Sequence, residues 1–134
     1  REDIFGKQQI MDEKDHVTGS VEHLLINATS VSFDEVFSLV DSYGGIAYPA
    51  HVDKTSTSLI SNLGFVPPES TFRCAEFHDF KNLHRMQKDH PYFSQCNVIC
   101  CSDAHYLTDI HEPQYQIWSR SKDPEDVLQA LSGR

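Results

Sequence analysis

Residues 45–54 read GIAYPAHVDK and residues 97–105 read NVICCSDAH. Each is a short apolar run that ends in charged and imidazole side chains. The run NVICC is continuous in apolar residues, the pattern of a strand covered on both faces. Between the two lies a third strand candidate, TFRCAEFHDF at 71–80. Helical signals separate these runs. Ser32 is followed three positions later by Glu35, a capping-box pairing, and Phe33, Val36, Phe37, Leu39 and Val40 then form one apolar face. Gly44-Gly45 ends that helix. A second helix is expected from Ser58 to Leu63, stopped by Gly64, with Pro67-Pro68 marking a loop. NLHRMQKDHPYF at 82–93 is expected as a short helix or loop broken at Pro91. QYQIWSR at 114–120 is expected as a fourth strand. Asp123-Pro124 supplies an N-cap and a first-turn proline ahead of Val127, Leu128 and Leu131, and Gly133 closes that helix. Strands alternating with helices imply βαβ units, hence an α/β fold with mostly parallel strands. GIAYPAHV, FRCAEF and NVICCSD are expected as parallel neighbours. In such sheets chemistry collects at the carboxyl ends of strands.

Working outward, residues 1–31 carry the least pattern. DEKDHVTGS, around Gly19, is expected as a turn between QQIM and VEHLLINA, a hairpin or irregular insertion ahead of a main domain at 32–134. With 134 residues, 39% hydrophobic and 23% charged, the chain suits one domain with a real core. A net charge of −9 argues against non-specific nucleic-acid binding. It leaves room for a small phosphorylated substrate if bound metal ions supply positive charge. No apolar run approaches the roughly 20 residues of a membrane span, and the opening REDIFGKQQ lacks a signal-peptide pattern. A cytoplasmic protein without a membrane partner is the expectation, and a start at Arg1 suggests a fragment or processed product. Cys74, Cys96, Cys100 and Cys101 make no CxxC pair. They are expected as reduced, buried thiols, with metal ligation the alternative.

The chemistry-bearing residues sit where two strand candidates end. His51 closes the first, and Asp103 and His105 close the second. Two apart on extended backbone, Asp103 and His105 would point the same way. A carboxylate with imidazoles suits Zn, Mn or Fe. A lone His at a strand end is equally at home as a hydrogen-bonded structural residue, and Asp-x-His can be an Asx turn. Spacing leaves these readings open. Glu76 and His78 lie two apart on the middle strand candidate, with Glu76 expected to be structural. Asp53 and Lys54 follow His51 in a loop that could line a pocket. His84, His90 and His111 are expected to be solvated, Asp109 to cap a following element, and Trp118 to lie in the core or at a rim.

GGIAYPAHVDK, SLISNLGFVPPE, AEF and CSDAHYLTDI, in that order, resemble a bacterial branch of the polymerase-and-histidinol-phosphatase (PHP) family. The resemblance runs from about Ile4 to the end of the chain. It implies the C-terminal part of a distorted (β/α)7 barrel whose carboxyl-end mouth holds up to three divalent metal ions. It implies that His51, Asp103 and His105 are metal ligands and that Asp103 also acts on the attacking water. His78 is the candidate for contact with a substrate phosphate. The family's earlier HxH motif and its further His and Glu ligands have no counterpart here, so the N-terminal half of the barrel is expected to be missing. The implied function is metal-dependent hydrolysis of a phosphate ester, on a small phosphorylated metabolite or nucleotide, with the isolated chain inactive. The alternative is a non-catalytic PHP-like structural or interaction module. A nuclease-like role on polynucleotide ends is disfavoured by the acidic balance.

Overall fold

A computed structural model describes residues 2–133. The chain separates into two compact units, one ending at Ser32 and one beginning at Phe33. Among the described residues no helix is long and apolar enough to cross a membrane.

The first unit holds a short helix, α1 (Glu2–Phe5), and an antiparallel hairpin of β1 (Gln9–Met11) and β2 (Val17–Ser20). Its turn belongs to Asp12. Oδ1 of Asp12 accepts from the N–H groups of Lys14 and His16, both at 2.9 Å, and Asp15 takes a left-handed φ of 63°. The second strand is therefore VTGS and not the expected VEHLLINA. A carboxylate that satisfies two main-chain amides sets the reversal there. Gly19 sits inside the strand, opposite Ile10. Residues after β2 are tied to the side chain of Gln8, which donates to the carbonyls of Val21 and His23 and accepts from Leu25.

The second unit is α/β. Its elements are α2 (Phe33–Ser42), α3 (Leu59–Leu63), β3 (Cys74–Phe77), α4 (Leu83–Asp89), β4 (Asn97–Cys100) and α5 (Pro124–Ser132). The helix boundaries follow local chemistry. Ser58 caps α3 through a capping box with Ser61, and Gly64 ends it at a φ of 80°, a conformation that disfavours a Cβ. α5 starts on Pro124 after Asp123 and ends at Gly133. At Gly45 a Cβ would come within 2.9 Å of Cγ1 of Val40, so the chain leaving α2 passes too close for a larger residue.

β3 and β4 pair in parallel, from Cys74 opposite Asn97 to Phe77 opposite Cys100. The core is built on β3. Cys74, Ala75 and Phe77 are all fully buried, and since successive side chains alternate, both faces of β3 are covered. Phe37, Leu59, Met86 and Phe93 close around it. Phe72 joins the helices, its ring lying 4.7–6.4 Å from those of Phe33, Phe37, Tyr92 and Phe93. Each such buried side chain contributes roughly 1.5–3 kcal/mol.

Several expectations for this unit differ from what is observed. The strand covered on both faces is β3; β4 is only half-buried, and among the described residues its second edge carries no strand. GIAYPAHV neighbours β3 in the parallel sense but is not a regular strand. Glu76 N–H donates to Pro49 O at 3.1 Å and Val52 N–H to Glu76 O at 2.8 Å. That is a parallel ladder with one extra residue, and His51 takes it up at a φ of 32°. QYQIWSR is irregular and exposed, with Trp118 88% accessible, because no strand edge meets it. Trp118 is therefore not a core residue. The sheets among the described residues are two small pairs, and no barrel is formed.

Candidate functional site

The bulge that breaks the first ladder also aims His51. Its side chain leaves the chain where the segment alongside β3 ends. Asp103 leaves the chain three residues after β4, on the other side of β3. Nε2 of His51 then lies 3.9 Å from Oδ2 of Asp103. The same Oδ2 is bonded to the ammonium of Lys54. The three side chains are 16%, 24% and 32% accessible respectively, so the group is open to solvent but not freely solvated. The Lys54 ammonium holds the Asp103 carboxyl below the usual carboxylate range, and His51 and His105 act in the same direction.

His105 joins this group only loosely. Asp103 has a φ of 50° and not an extended backbone, so the expectation that Asp103 and His105 share a face fails. Nδ1–H of His105 instead donates to the main-chain oxygen of Asp103 at 2.8 Å, in an exposed position. This leaves Nε2 of His105 as its free ring nitrogen, the arrangement a metal-binding imidazole uses. His51 differs: its Nδ1 is buried without a hydrogen-bond partner. In kind, these donors fit a divalent ion of the Zn, Mn or Fe class. In number they fall short. Among the described residues no group of three His, Cys, Asp or Glu side chains is positioned to hold a metal.

Asp53, two residues after His51, plays a part that spacing did not reveal. Its Oδ1 accepts from the His78 N–H at 2.7 Å, and its Oδ2 accepts from the Asp79 N–H at 3.0 Å and from Nδ2 of Asn82 at 2.9 Å. One carboxylate thus fastens the turn after His51 to the turn after β3. Burial works against its ionisation, but these three donors outweigh it and its pKa is lowered. The visible signal was a charged pair, Asp53-Lys54, directly behind His51. What each charge meets lies far along the chain and has no local signature.

The remaining candidates stand apart. The ring of His78 lies 6.2 Å from that of His111, and its buried Nδ1 has no partner. His84 is exposed, and His90 packs its ring 6.1 Å from that of Phe93 and so is not simply solvated. Asp109 ends a short turn, 107–109, and caps no following helix. The four cysteines are free. A cleft of about 740 Å³ is lined by Phe37, Ile46, Thr71, Arg73, Leu128 and others. Thr71 and Arg73 precede β3, so this cleft opens at the amino ends of the strands, away from His51 and Asp103. Comparison with protein-family models, curated proteins and solved structures finds nothing that matches this chain.

Proposed function

We propose that this chain supplies part of the active site of a metal-dependent phosphoesterase that acts on a small phosphorylated metabolite or nucleotide. The observation that carries the reading is the approach of His51 Nε2 to Asp103 Oδ2, 3.9 Å, from chain segments on either side of β3. The motif resemblance to the PHP family supports it. His51 and Asp103, with Nε2 of His105, are this chain's donors to Zn, Mn or Fe, and the reading requires further ligands from outside these residues. When bound, such ions lower the pKa of a coordinated water and stabilise phosphoryl oxygens. Asp103, kept ionised by its surroundings, accepts a hydrogen bond from the attacking water and orients it. Asp53 holds the loop of His51 against the end of β3 and keeps the donors in register.

The test is a panel of phosphomonoesters and phosphodiesters with added Mn²⁺ or Zn²⁺. It is run on a protein that contains this chain with its missing ligands and on the 134-residue chain alone. Activity is expected in the first and not in the second. Asp103→Asn is expected to lower turnover by about 100-fold, on the scale of losing a metal-site group. Glu125→Gln, on the exposed side of α5, should leave it unchanged. Equal turnover of wild type and Asp103→Asn sinks the reading. One observation favours a non-catalytic module instead: Lys54 already neutralises Asp103. That reading predicts no hydrolysis of any ester in the panel.

A further inference from the structure

Among the described residues β4 pairs on one side only, with β3. Two bonds identify its inward groups: the Asn97 N–H donates to the Arg73 carbonyl at 2.7 Å, and the Cys101 N–H donates to the Phe77 carbonyl at 3.1 Å. Main-chain groups alternate along a strand. Asn97, Ile99 and Cys101 therefore turn theirs toward β3, and Val98 and Cys100 each turn an N–H and a C=O outward. Among the described residues nothing bonds those four outward groups. Val98 and Cys100 are half-buried, and main-chain groups in such places require water or another strand as a partner.

The edge also lacks the features that keep strand edges apart. Asn97–Cys100 carries no charge and no proline, and its register with β3 runs without a bulge. It is, moreover, complementary to itself. Two copies laid antiparallel about a two-fold axis at Ile99 bring Val98 of one opposite Cys100 of the other. Each such pair exchanges two N–H to C=O bonds. All four outward groups of each copy are then used and none is left over. Ile99, itself half-buried, meets its symmetry mate as a non-hydrogen-bonded pair, where side chains come closest. This match is a property of the edge itself and needs no second sequence, which selects a second copy as the occupant.

We propose that the chain forms a two-fold dimer through the outer edge of β4, joining two β3–β4 pairs into one continuous sheet. The inference goes beyond the phosphoesterase reading and does not draw on it. A net charge of −9 on each copy opposes association, so the dimer strengthens as salt screens that repulsion.

The experiment uses the 134-residue chain at high salt, across a wide range of concentration. Sedimentation equilibrium reads the mass, and amide hydrogen exchange followed by NMR reads each residue. The mass is expected to double with concentration. The Val98 and Cys100 amides are expected to slow by about tenfold or more, while those of Asn97, Ile99 and Cys101, already turned to β3, change less. Ile99→Lys sets two ammonium groups against each other across the axis and is expected to weaken association by at least about tenfold. Glu76 stands opposite that position in the β3 register and offers the lysine a partner within the monomer. Ile99→Val is expected to associate like wild type. If circular dichroism shows that Ile99→Lys does not fold, Val98→Pro replaces it, since it removes an outward donor and no bond to β3. A wild type that stays monomeric at the highest concentration overturns the proposal. A dimer that the edge variant leaves intact, or that leaves the Val98 and Cys100 amides unprotected, overturns it as well, because the interface then lies elsewhere. Protection of those two amides that does not change with concentration also overturns it, because the chain then covers its own edge.

Discussion

The main-chain N–H of His78 donates to Oδ1 of Asp53 at 2.7 Å, across 25 positions of sequence. With Asp79 and Asn82 bonded to the other oxygen, this carboxylate ties the loop that carries His51 and Lys54 to the turn after the central strand. Asp53→Ala leaves three donors without their acceptor. The expected loss is about 1–3 kcal/mol, after allowing for partial exposure. Urea denaturation checks it, and a change inside the ordinary surface range of about 0.5 kcal/mol would refute the role.

The same carboxylate makes an acid-dependent contribution. Its folded-state pKa is lowered from the usual value of 3.8 because the amides of His78 and Asp79 and the Asn82 side chain outweigh burial. A depressed carboxylate stabilises the fold above its unfolded value, and that stability is lost as pH falls through the lower folded value. Asp53→Asn should therefore lose stability at neutral pH and show a shallower decline below about pH 4. Parallel acid arms for wild type and variant, compared by denaturant midpoints along the pH series, would count against it.

Ser58→Ala removes both halves of one arrangement. Its Oγ accepts from the Ser61 N–H at 3.0 Å and donates to the Lys54 carbonyl at 2.8 Å. A cost of about 1–2 kcal/mol is expected, at the upper end for an N-cap because the group is buried. Ser58→Thr should recover part of it. Thermal melts that show no difference between Ser58→Ala and wild type would remove Ser58 as a support for the Lys54 loop.

Phe72 and Trp118 should behave oppositely despite similar apolar character. Phe72 is buried among four aromatic rings, so Phe72→Ala is expected to cost about 3–5 kcal/mol. Trp118 is 88% accessible, and Trp118→Ala should stay within about 0.5 kcal/mol. Chemical denaturation of the two variants side by side decides whether 114–120 belongs to the folded core.

The thiols should react in order of access and acidity. Burial pushes Cys74 up to about 11 and Cys96 up to about 12, leaving little thiolate at pH 8. Cys101 is exposed, and although burial of its sulfur and the nearby Glu76 raise it too, the shift is smaller. An aromatic disulfide reagent should label Cys101 first, and Cys101→Ser should abolish the fast phase. Fast labelling that survives in that variant would show a different order.

The sequence by itself determined the features that close within a few residues. Gly64 ends α3, and Pro124 and Gly133 bound α5, because a cap needs only its own turn of chain; the Ser58–Ser61 capping box emerged only in the structure. Apolar runs around a connecting helix were enough to read β3 and β4 as a parallel pair, since that connection admits little else. They were also enough to single out His51 and Asp103 as residues at the carboxyl ends of two such segments. Tertiary structure decided everything that depends on which chain segments meet. A residue cannot announce in advance a φ of 32° at His51 or 50° at Asp103. Nor does local pattern say that Lys54 finds its partner 49 positions away, or that Asp53 spends both oxygens on the loop after β3. The same reason explains QYQIWSR: β propensity states that a segment suits a strand, while pairing requires a free edge in the right place. Burial on both faces went to β3 and not β4 because the segment carrying His51 and the aromatic cluster around Phe72 assemble on that strand, a choice made by packing across the whole unit.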